Sequence, residues 1–159
     1  MRILGSDWDV VTVATSAPAF TLGTIAMDHS ANKIYKYIKF NEGAGAIAGV
    51  ADRVCYYHPP GATPDDSYAE HTVTMDLSDS DEIGAGVLQA AMSNGDYGWI
   101  QIKGPATLGL SLTAGADGDP LTPTGSTDGT LDVSALHTDH KCAWAIDVSA
   151  NSIMCDFPF

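Results

Sequence analysis

Three groupings of side chains in this 159-residue chain could carry chemistry. The first is His137-x-x-His140-x-Cys142. Imidazole nitrogen and thiolate sulfur are both zinc ligands, and a turn can converge them. With Asp139 among them, the same residues would suit a small metal-dependent hydrolase. A fourth ligand would have to come from elsewhere, and no second Cys/His pair stands at finger spacing. His137, Asp139, His140 and Lys141 together read more simply as a solvated polar turn. The second grouping is Asp76-x-x-Asp79-x-Asp81-Glu82. Hard cations such as calcium want several carboxylate oxygens. The glycine at the sixth loop position and the distant glutamate of an EF-hand are missing, so an acidic turn between strands is the better reading. The third is the set of thiols, Cys55, Cys142 and Cys155. Cys55 lies in the strand-like Val54-Cys55-Tyr56-Tyr57, where a thiol packs as a small hydrophobe. Cys142 and Cys155 fall in the last two expected strands and read the same way. An odd count without regular spacing makes no disulfide framework, and reduced thiols are the plain reading.

A nucleophile with its base is no easier to find. Serines are plentiful, but no Gly-x-Ser-x-Gly is present. Gly84-x-Gly86 and Gly43-x-Gly45 lack the strand–helix setting and third glycine of a phosphate cradle. The sequence therefore reads as a non-enzyme, with no cofactor and no bound metal expected.

The elements that would position these residues are strands. Ile34 to Phe40 alternates, with Ile34, Lys36, Ile38 and Phe40 on one face and Tyr35, Tyr37 and Lys39 on the other. Val50 to His58 is the next expected strand, stopped by Pro59-Pro60-Gly61. His71 to Leu77, Val87 to Met92, Trp99 to Lys103, Ala143 to Val148 and Ser152 to Phe157 follow. Asn94-Gly95, Gly104-Pro105, Asp117-Gly118-Asp119-Pro120 and Asp128-Gly129 supply the turns. Turn signals every 8–12 residues or so predict an all-β fold, a compact β-barrel or β-sandwich. Residues 1–19 read as an extended N-terminal arm, ordered only against a partner. Residues 20–159 read as a single β domain, with a surface loop at 59–70.

Composition narrows the function classes. Seven basic residues against twenty acidic ones give a formal charge of −13. Such a surface repels phosphate backbones and anionic lipid, so neither nucleic acid nor membrane is an expected partner. No stretch approaches the roughly 20 apolar residues that cross a bilayer. With 45% hydrophobic and only 17% charged residues, the chain is too apolar to be disordered throughout.

One block is more specific than composition. Ile83-Gly84-Ala85-Gly86-Val87-Leu88-Gln89-Ala90-Ala91 leads to Asp96-Tyr97-Gly98-Trp99-Ile100-Gln101-Ile102-Lys103-Gly104-Pro105-Ala106. The turns Gly118-Asp119-Pro120-Leu121 and Asp128-Gly129-Thr130-Leu131 follow, and the chain ends Asp156-Phe157-Pro158-Phe159. Upstream, Phe20-Thr21-Leu22-Gly23-Thr24 and Tyr35 to Phe40 fit the same pattern. Over about residues 20–159 the chain resembles the small decoration, or cement, proteins on the heads of tailed bacteriophages.

That resemblance implies a virion structural protein made in the host cytoplasm. It would bind the outer capsid surface and stabilise contacts between capsomers. The major capsid protein and other copies of itself, in a homotrimer, are the implied partners. Trp8, Phe157 and Phe159 are the candidate partner-binding residues, because aromatics give much contact area for little entropy. Arg2, Lys33, Lys36, Lys39 and Arg53 are expected on the capsid-facing half. The alternative is a glycan- or surface-binding β module of the virion, with Tyr56, Tyr57 or Tyr68 as its platform. Trp99 is expected in the core.

Overall fold

The computed structural model describes residues 8–60, 71–123 and 125–158. Its regular structure is almost all strand. The helical segments among the described residues are the 3-10 turns Trp8–Thr12 and Leu77–Asp79. No helix among them is long and apolar enough to cross a membrane. The strands are β1 (Ile25–Asp28), β2 (Lys33–Phe40), β3 (Val54–Tyr57), β4 (Thr72–Thr74) and β5 (Gly84–Leu88). They continue as β6 (Tyr97–Thr107), β7 (Pro120–Thr122), β8 (Asp132–Val133), β9 (Ala143–Asp147) and β10 (Ser152–Asp156).

Five of these strands close a barrel in the order β2-β4-β3-β5-β6, with β6 returning to β2. The β2–β4 pair is parallel and the other pairs are antiparallel. Closure leaves the barrel without open edges. Ile38 and Phe40 of β2 join Val54, Val73, Val87, Ile100 and Ile102 in the fully buried main core. Leu77, expected at the end of a strand, instead enters a 3-10 turn. Asp76 is the N-cap of that turn, its side chain accepting from the Ser78 N–H.

β6 is long enough to serve two sheets. Its first half belongs to the barrel; from Lys103 onward it pairs with β10. The sheet then continues through β9, β7 and β8 as an antiparallel wing. Gly104-Pro105, expected to stop the strand, bends it instead. Gly104 has φ +92°, and a Cβ there would lie 2.0 Å from the Asn32 carbonyl oxygen. Only glycine accommodates both the backbone sign and the close approach.

The lead-in to β1 departs from the expected free arm. After the 3-10 turn Trp8–Thr12 it runs on without regular structure and lies against its own barrel. Thr15 and Tyr97 exchange backbone hydrogen bonds of 2.9 and 2.8 Å. The Ala19 N–H donates to the Tyr37 hydroxyl at 3.0 Å. Phe20 sits edge-on to Tyr37 and Trp99, with ring centroids 5.2 and 5.3 Å away. Val11 is buried in the same cluster with Ala26, Tyr35, Tyr37 and Trp99. Trp99 is therefore a core residue, but of this second cluster outside the barrel. Residues 10–20 thus contact strands of their own domain. Residues 1–7 and 61–70 lie outside the described residues.

Candidate functional site

The wing presents two unlike faces. Inward, β9 offers Ala143 and Ala145 and β10 offers Ile153 and Cys155, all buried. Outward stand Trp144 (42% exposed), Ile146 (44%) and Met154 (42%). An antiparallel sheet with one wet face usually turns polar residues to water. On β9 the bulky apolar side chains point outward and the small ones inward.

Strand register lines these residues up. Pro105 of β6 stands opposite Met154 of β10, Met154 opposite Trp144 of β9, and Trp144 opposite Pro120 of β7. Adjacent strands lie about 4.8 Å apart, so the row spans roughly 14 Å across four strands. Ile146 extends it along β9, at a bulge where β9 has one more residue than β10.

The row has an acidic rim. The loop before β7 is tied to β9 by Gly118 N–H to Ala145 O (2.8 Å) and Ala145 N–H to Asp119 O (2.9 Å). Asp117 accepts from the Val148 N–H at 2.9 Å, and Asp119 from the Ala116 N–H at 2.8 Å. Asp147 accepts from the Ser149 hydroxyl at 2.6 Å and the Ala150 N–H at 3.1 Å. The Ser149 hydroxyl, helped by the Ala150 N–H, holds Asp147 below the usual carboxylate range. At the far end of β10, Asp156 pairs with Lys103.

The residues singled out in the sequence are placed elsewhere. Trp8 opens the first 3-10 turn, but its side chain, like Phe159, lies outside the described residues. Phe157 is fully buried in the chain's own core. A Cβ on Gly84 would come within 3.0 Å of its ring, so that glycine makes room for it. As part of this fold, the Phe157 ring has no surface to offer a partner. Tyr56 and Tyr57 are buried as well and cannot form a sugar platform. The Tyr56 hydroxyl donates to the Thr130 carbonyl at 2.7 Å and accepts from the Gly129 and Thr130 N–H groups. Tyr68 lies outside the described residues. Lys36, expected on a surface, is buried; its Nζ lies 2.8 Å from the Tyr57 hydroxyl. Burial lowers its pKa to about 8.

The candidate chemical groupings are likewise absorbed by structure. Asp76 accepts from the Gly45 N–H at 2.7 Å as well as from Ser78. Burial pushes its carboxyl up, but these bonds outweigh that and leave it below its ordinary value. Asp79 accepts from the Ala44 N–H at 2.9 Å and lies 3.4 Å from His58 Nε2. Asp139 accepts from the Leu136 N–H at 2.8 Å and so caps its own turn. Among the described residues, no three His, Cys, Asp or Glu side chains are placed to hold a metal ion together. All three thiols are buried, and burial raises each above its ordinary pKa, Cys155 to about 12. Thiolate, the reactive form, is correspondingly scarce at neutral pH.

No family model, no curated protein and no solved structure matches this chain. The outward apolar row of the wing is therefore taken on its own geometry. Its signal was present in the sequence as Trp144-Ala145-Ile146 and Met154. Which face these residues take depends on a register that only the pairing of β9 and β10 fixes.

Proposed function

We propose that this chain is a non-enzymatic decoration protein of a tailed-phage head. In this reading it binds the outer surface of the icosahedral shell, contacts the major capsid protein, and stabilises neighbouring capsomers. The observation that carries the reading is the row Pro105–Met154–Trp144–Pro120, whose Pro105, Met154 and Trp144 are exposed on the sheet of an acidic protein. Exposed apolar side chains clustered on one face mark an interaction surface, and a central tryptophan is a common energetic anchor. The sequence resemblance to cement proteins supplies the partner. A homotrimer would match the three-fold and quasi-three-fold positions of such a shell.

The test is co-sedimentation with expanded heads of the phage that encodes the chain. Wild-type protein is expected to pellet with heads in saturable amounts, and Trp144→Ser to lose most of that binding while keeping its far-UV circular dichroism. Heads that never take up the wild-type protein would overturn the reading. Binding on a glycan array without any head would favour the alternative of a glycan-binding module.

A further inference from the structure

We infer that the outer face of the wing docks a protein surface whose apolar patch is rimmed by lysine and arginine side chains, not a second copy of this chain. The inference rests on the docking role proposed above and specifies the chemistry of the partner surface.

The apolar part of the argument is the row itself. Trp144, Met154 and Ile146 each keep more than two-fifths of their surface in water. Covering them is the main favourable change the face can offer. The choice of occupant comes from the charges. From residue 104 to the end, the sequence holds seven aspartates and one basic residue, Lys141. Three of the aspartates, Asp117, Asp119 and Asp147, gather where the loop before β7 meets the end of β9. Backbone N–H donors of Val148, Ala116 and Ala150 hold their carboxylates in place. A cation arriving there meets pre-oriented acceptors, so little side-chain freedom is lost on binding. On the same face Lys103 pairs with Asp156.

A second copy would bring Asp117, Asp119 and Asp147 against their own counterparts, with no basic side chain among them to offset the charge. Contacts fall within the roughly 8 Å over which salt at physiological strength fails to screen charge. Like charges set against each other suppress a partner. A basic rim turns the same charges into attraction and faster encounter.

The test is selection of a yeast-displayed random peptide library on the full-length protein. Each binder is retested against Trp144→Ser and, as a second variant, Ile146→Ser, both checked for unchanged melting temperature. Binders that need Trp144 are expected to combine aromatic or aliphatic residues with an excess of Lys and Arg. Their binding should weaken by about tenfold or more as NaCl rises from about 50 to about 500 mM. The triple variant Asp117→Asn, Asp119→Asn, Asp147→Asn keeps the acceptor oxygens and removes the charge. It should weaken the same binders by about tenfold at low salt and little at high salt. Trp144-dependent binders without a basic excess, or the absence of any Trp144-dependent binder, would overturn the inference. So would light scattering that shows a wild-type oligomer reduced to monomer by Trp144→Ser, since a second copy would then be the occupant. Basic, Trp144-dependent peptides together with no binding to heads would leave this inference standing and remove only the decoration reading.

Discussion

The side-chain amide of Gln101 donates to the carbonyl oxygen of Pro105, 2.9 Å away and four residues further along the same strand. The same nitrogen lies 3.2 Å from the carbonyl oxygens of Lys103 and Gly104. One buried amide thereby serves the bend at which β6 leaves the barrel and enters the wing.

Gln101→Met keeps the volume and removes the donor. Unsatisfied carbonyls at the bend should lower stability by about 1–3 kcal/mol in urea unfolding. Hydrogen exchange should quicken most in β10 and β9, with the barrel amides of β3 and β5 less affected. Equal quickening in both sheets would count against a local role at the bend.

Two glycines with positive φ give a matched comparison. Gly104→Ala meets both the φ of +92° and the Asn32 carbonyl at 2.0 Å. Gly95→Ala meets φ +84° with nothing within 4 Å. The second should cost about 1 kcal/mol, the usual penalty for a left-handed non-glycine residue. The first should cost several times more or prevent folding. Thermal melts of the pair decide it.

Phe20 is the wedge that holds the lead-in against Tyr37 and Trp99. Phe20→Ala should free residues 8–19 while the barrel stays folded. The loss should be smaller than the ~3–5 kcal/mol of a fully buried phenylalanine, because Phe20 is only partly buried. Limited proteolysis should then cut before β1 in the variant and not in the parent.

The strands were readable because their signals are local. Alternation in Ile34–Phe40 and the turn at Asn94-Gly95 sit within a few residues of what they specify. The lead-in was not readable, because Thr15 pairs with Tyr97, far along the chain. The bend at Gly104-Pro105 looked like a stop, since nothing nearby announces that Gln101 will satisfy its carbonyls. The outward face of β9 was hidden for another reason. Size alone would turn Trp144 and Ile146 inward, and only the packing of Ala143 and Ala145 against the core reverses them. Phe157 could be placed inside only once Gly84 is seen to leave it room.

Lys36 and Tyr57 set up a pH dependence. Lys36 titrates near 8 in the fold, below its unfolded value, so the folded state binds fewer protons between about pH 8 and 10. Through that window this lysine's burden on stability diminishes as pH rises. The double variant Lys36→Met, Tyr57→Phe removes the group and leaves no orphaned hydroxyl. It should be at least as stable as the parent at pH 7, with the advantage shrinking toward pH 10. The three thiols and Tyr56, kept in both proteins, act in the opposite sense, as does Tyr57 in the parent as pH nears 10. Burial raises their pKa values, so the folded state binds more protons and both proteins should weaken above about pH 9. Urea titrations at pH 7, 9 and 10 separate the two effects.

The barrel's closing seam joins its first strand to its last, β2 to β6. Roughly sixty residues separate the two along the chain, and the intervening loop must be ordered before the seam rewards it. Closure is therefore a late, non-local event. During synthesis, β2 to β5 leave the ribosome before β6 is available, with hydrophobic strand faces and backbone edges still open. Refolding should accordingly be slow for a domain this size. Because the seam forms late, weakening it should speed unfolding more than it slows folding. A chaperone that shields strand edges should raise the yield of soluble protein more than one that acts on the finished domain.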